Sequence, residues 1–485
     1  MRFFLTVAGT AVAMILFAGN SAFAAYEKLL FTIEQPPAAM PEGDRSSTAS
    51  RREAAIRINI AASEAETPEL AIPLFDGKTH TAVRTSGEFR AMNDTTWRGK
   101  IGGDHDVVLT FKNGFVAGLI YTHDGAYEIV PRGDSHRLVE LDHTLFPECA
   151  GDVKGESSTE NAATLGGSDS GDRIDVLVVY TTATKNVLGG DPQAQAHAQA
   201  AIDATNTAYL NSKIRQRVRL VHSQEFVYTE TTSASTDLSN LRNNASIQQL
   251  RDTHKADLVA EISEVAGVCG IGYLMGAATG NPNNGFTVTA RSCAVGNLSF
   301  AHELGHNMGS QHNPENGSGP TYPYGFGHYI NGSYRTVMSY SDPCAAGCVR
   351  RPYFSNPNVV YLSAATGIEG ARDNARSMNN TADVISNYRY SGASITLSNY
   401  NSGDVMFRTV GRPLTWTSDN ITGNVRIEIS RDESTTWDTI IASTPNDGSE
   451  RISFMAPATR RARIRIVSLG TLTVSDSSVA NIILR

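Results

Sequence analysis

No basic run occurs in the 485-residue sequence, whose formal net charge is −8. Proteins that bind nucleic acid or anionic membranes by charge need clustered lysine and arginine. We therefore expect neither of these partners. Beyond the first 24 residues, no apolar stretch approaches the roughly 20 residues that a bilayer-crossing helix requires, so we expect no membrane span in the mature protein.

Cysteine is scarce, with five in the chain. Sequence proximity favours two disulfides, Cys269–Cys293 and Cys344–Cys348, although four cysteines allow three pairings. A second metal ion held by Cys344 and Cys348 is the alternative for that pair. Cys149 lies well upstream and is left without a partner.

The N-terminus has the features of an export signal. Met1-Arg2 is followed by an apolar run to Phe17 and then by Ala22-Phe23-Ala24. A charged start, a short apolar segment and an Ala-x-Ala site predict a secretory signal peptide over residues 1–24. Export permits disulfides and places the protein outside the cell or in a periplasm. An N-terminal membrane anchor is the alternative.

One stretch of the chain, HELGHNMGSQH, combines residues that can bind and use a metal ion. On a helix, His302 and His306 project from one face. Gly309 can end that helix in a left-handed turn and so deliver His312 as a third ligand. Three neutral imidazoles leave the fourth position of a tetrahedral zinc open to water, which is typical of a catalytic site. Glu303 is then placed to act as general base.

This HExxHxxGxxH pattern resembles that of the metzincin zinc metallopeptidases, and the surrounding sequence is most similar to their secreted bacterial reprolysin (adamalysin)-like branch. Met338, in TVMSY, matches the Met-turn that lies beneath the metal in metzincins. The resemblance implies one catalytic Zn2+ held by the three histidines, a zinc-activated water with Glu303 as base, and protein or peptide substrates.

Two positions depart from the reprolysin pattern. Asn313 follows the third histidine, where reprolysins usually have Asp. Tyr340 lies two residues after Met338, where astacins and serralysins have a switchable extra zinc ligand. The resemblance therefore gives Tyr340 a tentative catalytic role, with a packed loop tyrosine as the alternative.

Residues 25–171 are predicted to form a β-rich propeptide. Two apolar runs, 107–111 and 115–121, flank Asn113-Gly114, which is a strong hairpin signal. Upstream of them, the polar and Pro/Ser-rich residues 36–50 predict a loose arm. The chain then continues towards Cys149 through a further predicted strand.

An unpaired cysteine directly before a catalytic domain suggests a zymogen. Cys149, in FPECAGD, can place its thiolate at the open zinc position as a cysteine switch, so that the propeptide inhibits its own enzyme. A free cysteine without this role is the alternative. The Gly-, Ser- and acid-rich residues 151–172 predict an exposed linker where maturation occurs, although they contain no dibasic site.

Residues 172–390 are predicted to form an α/β (α+β) metzincin catalytic domain with a mixed sheet and a zinc helix. The apolar patterns predict four strands and four helices: strands at 173–180, 217–228, 256–263 and 285–290, and helices at 192–214, 236–254, from about 298, and 375–388. The resemblance implies that the strand just before the zinc helix is an antiparallel edge that pairs with extended substrate.

Residues 391–485 show alternating apolar positions separated by turn clusters, which predicts an all-β Ig- or fibronectin-like sandwich of about seven strands. The whole chain is therefore expected to be multidomain. The function favoured by the sequence is a secreted zinc-dependent endopeptidase made as a zymogen. The alternatives are a surface-binding or adhesin protein with a catalytically inactive zinc domain, and a protease that processes only itself.

Overall fold

The computed structural model describes residues 28–40, 45–61, 67–154, 169–344, 348–401, 403–407, 411–434, 436–454, 457–470 and 474–485. The predicted signal peptide and residues 155–168 of the predicted linker lie outside this part of the chain. None of the helices within the described residues is both long and apolar enough to cross a membrane.

The N-terminal region is one ten-stranded sheet with the order β1-β4-β5-β6-β7-β8-β9-β10-β3-β2. Its strands are β1 Lys28–Leu29, β2 Phe31–Ile33, β3 Ser50–Ile58, β4 Glu69–Pro73, β5 Thr79–Ala91, β6 Asp94–Ile101, β7 His105–Lys112, β8 Phe115–Tyr121, β9 Ala126–Arg132 and β10 Ser135–Leu141. The predicted hairpin is confirmed, because β7 and β8 pair antiparallel through a turn at Asn113 and Gly114. Trp97, Leu109 and Ile129 lie in the core of this region.

The predicted loose arm before β3 is in fact packed at its end. Ser46 and Ser47 are buried. The backbone N–H of Ser46 donates to the buried Glu53 carboxylate at 2.7 Å, and Ser47 Oγ donates to Ser292 O at 3.0 Å. The prediction was wrong here because Ser46 caps a buried carboxylate of the next strand and Ser47 contacts a residue far away in sequence, which composition does not reveal.

The central region is built on a six-stranded mixed sheet with the order β11-β15-β16-β14-β12-β13. Its elements, with three short pairings after the third histidine, are β11 Asp152–Lys154, β12 Arg173–Thr181, α1 Thr182–Leu188, α2 Asp191–Asn211, β13 Arg217–Phe226, α3 Ala234–Asn243, α4 Ala245–Thr253, β14 Leu258–Ser263, β15 Gly270–Leu274, β16 Phe286–Ala290, α5 Arg291–Ala294, α6 Ser299–Asn307, β17 Tyr329–Ile330, β18 Tyr334–Arg335, β19 Val349–Arg350, β20 Val360–Tyr361, β21 Ala364–Ala365 and α7 Asn374–Ile385. A short 3-10 turn, Pro282–Asn284, precedes β16.

The antiparallel strand beside α6, the predicted zinc helix, is β15, whereas the sequence predicted this strand at β16. β16 pairs parallel with β14 and is an interior strand. β15 pairs antiparallel with β16, and its other side pairs parallel with β11, which comes from the predicted propeptide. The sequence GIGYL is short and contains two glycines, which weaken the pattern of a strand.

The C-terminal region consists of two sheets that share one hydrophobic core, which includes Trp416, Ile427 and Ile464. The sheet orders are β22-β24-β27 and β23-β30-β28-β25-β26, with β29 paired to β28. The strands are β22 Ser394–Leu397, β23 Val405–Met406, β24 Arg412–Asp419, β25 Val425–Ser430, β26 Asp438–Thr444, β27 Ser449–Ile452, β28 Thr459–Ser468, β29 Ser475–Ser477 and β30 Ile482–Leu484. The specific Ig or fibronectin likeness stays a prediction.

The end of the predicted linker is anchored to this C-terminal region. Ser170 Oγ donates to Ile395 O at 2.6 Å, and Ser475 Oγ donates to Asp172 Oδ2 at 2.9 Å. Both Ser170 and Asp172 are buried. An exposed linker was therefore the wrong expectation for these last residues, because they make their contacts with strands that follow more than 200 residues later.

Candidate active site

Helix α6 carries the first two histidines of the motif, and all nine of its residues are buried. The chain leaves the helix through Gly309, whose φ is +83°. A Cβ at this position would lie 2.3 Å from Thr321 Oγ1, so both the conformation and the space require glycine. This turn brings His312 back towards His302 and His306.

The three histidines converge through their Nε2 atoms. The Nε2–Nε2 distances are 3.1 Å between His302 and His306, 3.0 Å between His306 and His312, and 3.1 Å between His302 and His312. Nδ1 of His302 lies 2.9 Å from Val337 O, and Nδ1 of His306 lies 3.0 Å from Ser310 O. A carbonyl oxygen only accepts, so Nδ1 carries the proton in both rings and each Nε2 presents a lone pair to the shared centre.

The electrostatics of this cluster suit a cation. Burial, followed by the neighbouring His306, holds the pKa of His302 well below its usual range and lowers that of His312 to about 2. These imidazoles are therefore neutral, which is the form that ligates metal. Lone pairs that face one another without a proton between them are compensated by a positive ion, and three nitrogen donors fit Zn2+.

Glu303 places a carboxylate next to the histidine cluster. The residue is fully buried, and neither carboxylate oxygen has a hydrogen-bond partner among the described residues. Burial raises its pKa to about 8. A Cβ added to Gly270 of β15 would lie 2.6 Å from Glu303 Oε1, so the glycine leaves the space that this carboxylate uses.

Cys149 enters the same centre from the predicted propeptide. It is a free, buried cysteine. Its Sγ and ligand atoms of His302 and Glu303 all lie within 4.8 Å of one another. Burial, with Glu303 nearby, raises the pKa of this thiol well above its usual range. This part of the predicted propeptide therefore brings a side chain that can itself bind a metal next to the candidate metal ligands.

The segment around Met338 forms the floor of the site. A Cβ on Gly305 would lie 2.5 Å from Met338 Sδ, so the methionine packs directly against α6. The ring centroid of Tyr340 lies 4.1 Å from that of His312, and its hydroxyl donates to Cys149 O at 2.8 Å. Asn313 Oδ1 accepts the backbone N–H of Tyr340 at 3.0 Å, so Asn supplies an acceptor that ties the third histidine to this floor.

Four further residues, none of which sequence analysis singled out, meet beside Cys149. Glu148 Oε1 accepts the backbone N–H of Ser341 at 2.7 Å and also its hydroxyl. Glu148 Oε2 lies 3.9 Å from Arg335 Nη1 and 4.0 Å from Arg350 Nη2. Burial opposes ionisation of Glu148, but the two guanidinium groups and Ser341 outweigh it and lower the pKa of this carboxyl.

Arg335 and Arg350 are directly opposed partners in the parallel pair β18–β19. Both are almost completely buried. Arg335 precedes Met338 in the sequence and Arg350 follows it, and no local sequence pattern connects them. Only the pairing of these two short strands brings their charges together.

Two disulfides brace the region. Cys269 at the start of β15 bonds Cys293 in α5, and Cys344 bonds Cys348 just beyond the floor, with Cα–Cα distances of 5.4 and 5.7 Å. These are the pairs that sequence proximity favoured. Because Cys344 and Cys348 are joined to each other, they are not available to bind a second metal.

Three converging imidazoles on a helix and its following turn, with a buried carboxylate beside them, define the centre of a metallopeptidase. A family model described as metallo-peptidase family M12, of the reprolysin type, matches residues 170–355. A peptidyl-Asp metalloendopeptidase of Stenotrophomonas maltophilia is 31% identical over 381 residues, which cover 71% of this chain and 87% of that protein. The chain belongs to this family and is a metalloendopeptidase of the metzincin type.

Two other relatives carry the same name. The peptidyl-Asp metalloendopeptidase of Xanthomonas campestris pv. campestris is 29% identical over 342 residues, covering 65% of this chain and 80% of that protein. The one of Pseudomonas aeruginosa is 30% identical over 263 residues, covering 48% of this chain and 43% of that protein. Family membership favours an enzyme over the surface-binding protein that the sequence left open.

Proposed function

We propose that the chain is a secreted zinc endopeptidase, made as an inactive precursor, that cleaves proteins next to acidic residues. The observation that carries the proposal is the convergence of three Nε2 atoms beside the buried carboxylate of Glu303. The names of the relatives support aspartate as the acidic residue. The precursor divides into a signal peptide (1–24), a propeptide (25–171), a catalytic domain (172–390) and a C-terminal β-sandwich (391–485).

In this proposal His302, His306 and His312 hold one Zn2+. The ion, when bound, polarises the scissile carbonyl and makes water acidic enough to attack near neutral pH. Glu303 takes the proton of the attacking water and then gives it to the leaving amine. Its carboxylate suits this role because the Cys149 thiol, which lies beside it in the precursor, would leave with the propeptide.

Met338 supports the histidine helix from below, without a chemical role. Tyr340 is a candidate hydrogen-bond donor to the reacting carbonyl. Its ring lies tilted against that of His312, and its hydroxyl donates to Cys149 O of the predicted propeptide. Departure of the pro-segment would free this hydroxyl for substrate.

The propeptide is proposed to inhibit the enzyme at two places. The Cys149 thiol would bind the zinc as a thiolate, because a coordinated thiol loses its proton. Strand β11 covers the outer side of β15, the sheet edge that an extended substrate would use. Both contacts lie within one short segment, so a single displacement would open the site.

The proposal is tested by incubating the processed protein with casein and a mixed peptide library. Glu303→Gln and a chelator are the controls, and the zinc content of each protein is measured. Chelator-sensitive cleavage that is absent from the variant is the expected result. A folded, zinc-loaded wild-type protein that leaves every peptide intact would contradict the proposal.

A further inference from the structure

We infer that Arg335, Arg350 and Ser341 form the subsite that receives the acidic side chain of the substrate, and that Glu148 of the propeptide occupies it as a substrate mimic. The inference rests on the proposed function, because it identifies the residues that would select an acidic side chain. It concerns the same cleft as the three histidines.

The position of Glu148 is the first argument. It directly precedes Cys149, whose Sγ lies beside His302 and Glu303. The Glu148 carbonyl accepts the backbone N–H of Cys269 at 3.2 Å, and Ala150 N donates to Gly270 O at 2.8 Å. The pro-segment thus lies along the start of β15 by backbone pairing, as an added strand would. A side chain at this position is one residue away from the reacting centre.

The groups that surround the Glu148 side chain together suit a carboxylate. Ser341 offers its carboxylate two donors, the backbone N–H and the hydroxyl. Arg335 and Arg350 place their guanidinium groups within 4.0 Å of its other oxygen. Two hydrogen-bond donors at one carboxylate oxygen and two cations near the other form a site for an anion. A neutral amide in the same place would gain no attraction from the two guanidinium charges.

The third argument is charge compensation. Arg335 and Arg350 are 1% and 0% exposed, and Glu148 is the one carboxylate within 4.0 Å of either in the described part of the chain. Their other contacts are mainly to backbone carbonyls, such as Ser339 O at 2.7 Å from Arg335 and Asn297 O at 2.9 Å from Arg350. Buried charges of one sign are costly without a partner. When Glu148 leaves, the substrate carboxylate takes its place.

The subsite is tested with pairs of peptides that differ only in Asp or Asn at one position. We expect the processed wild-type enzyme to prefer Asp by on the order of 100-fold in kcat/KM, since the site's charged donors would be left unpaired by Asn. Arg335→Gln and Arg350→Gln should each lower this ratio by about tenfold, with the Asn peptide cleaved at nearly the wild-type rate.

A matched control separates loss of selectivity from loss of stability. Arg251 is also fully buried and donates to the backbone carbonyls of Ala256 and Pro282, away from the site. Arg251→Gln should lower stability and leave the Asp-to-Asn ratio unchanged. A ratio that falls equally in all three variants would overturn the inference.

A binding experiment covers the case in which the arginine variants do not fold. A labelled peptide of residues 145–154 with Cys149→Ser should bind the processed wild-type protein, and the same peptide with Glu148→Gln should bind about tenfold more weakly or worse. Equal binding of the two peptides would contradict the mimic.

The cleavage experiment and the binding experiment together distinguish the failure of this inference from that of the proposed function. Cleavage of Asp and Asn peptides at equal rates would contradict the proposed subsite and still support the proposed endopeptidase. Absence of all cleavage, together with binding that depends on Glu148, would remove the endopeptidase and leave the subsite.

Discussion

Turnover is proposed to depend on the carboxyl group of Glu303. Replacing it with glutamine keeps its shape and removes the base, so kcat on a peptide substrate should fall by about 1,000-fold or more. Zinc content should not change, because all three imidazoles remain. Glu225→Gln is the control, since Glu225 lies on β13, at the opposite side of the sheet from β15, and pairs with Lys185. Turnover of Glu303→Gln within tenfold of wild type would exclude Glu303 as the base.

Cys149 should control latency rather than catalysis. In Cys149→Ala the precursor loses the thiol that lies beside His302 and Glu303, so it should activate faster and show at least about tenfold more activity before processing. The measurement is peptide turnover by the unprocessed full-length chain over time.

Val139→Ala provides the control for the cysteine variant. Val139 of the predicted propeptide is buried in the same hydrophobic cluster as Cys149, so its truncation loosens the same region and spares the thiol. If both variants activate equally fast, general destabilisation explains the effect and the switch is excluded.

At the level of single residues, the sequence predicted those site residues whose positions follow from a local pattern. His302, His306 and His312 are recognisable because a helix and one glycine turn place them together. Glu148 and Arg350 are not, because their meeting depends on strand pairings that local periodicity does not encode. Asn313 looked like a departure from the family pattern, but the structure shows that its side-chain oxygen still accepts from Tyr340.

Strand β15 shows why element-level prediction was incomplete. The strand β12 and helix α2 were predicted close to their observed bounds, because β12 is a near-continuous apolar run and α2 is rich in alanine and has a proline at its start. β15 has glycines where a strand usually has β-branched residues, because Gly270 and Gly272 approach Glu303 closely. The feature that makes the strand useful to the site also removes its sequence signal.

A buried acid in strand β14, which lies beyond β16 in the same sheet, gives a pH prediction. Burial raises the pKa of Glu261 to about 8, and no described residue hydrogen-bonds its carboxyl oxygens. The folded protein therefore keeps a proton that the unfolded chain releases near its ordinary pKa of 4.5. This contribution to stability is complete below that value and declines as pH rises towards 8, at up to about 1.4 kcal/mol per pH unit.

Glu261→Gln should remove this decline. The free energy of unfolding of the processed enzyme, measured in urea at several values between pH 5 and pH 8, should become flatter in the variant. The exposed Glu369 offers the matched substitution, and Glu369→Gln should keep the wild-type slope. A variant at position 261 with an unchanged slope would assign the pH dependence to other groups.

At the scale of the whole molecule, the propeptide is held by polar contacts as well as by the active-site segment. Asp203 of helix α2 is fully buried and receives hydrogen bonds at 2.6 Å from both Thr96 and Thr110 of the N-terminal sheet. Arg90 adds an ion pair at 3.1 Å. The catalytic region thus presents a charge whose partners come largely from the segment that the proposed maturation would remove.

Asp203→Asn should therefore weaken the association of propeptide and catalytic region, by about 3 kcal/mol for a broken buried pair. The precursor should gain activity at a lower urea concentration than wild type, while the processed enzyme keeps its kcat/KM. Asp252→Asn is the control, because Asp252 pairs with Arg389 inside the catalytic region. Identical urea profiles for the Asp203 variant and the wild type would show that this contact does not hold the propeptide.

The central claim is that three histidines and Glu303 form a zinc peptidase that selects acidic residues. The most direct measurement is a mass-spectrometric map of the cuts that the processed protein makes in a denatured protein, with and without chelator and beside Glu303→Gln. The account predicts cuts that flank Asp or Glu, disappear with chelator and are absent from the variant. Cuts that persist in the chelator or in the variant, or that show no preference for acidic residues, would contradict it.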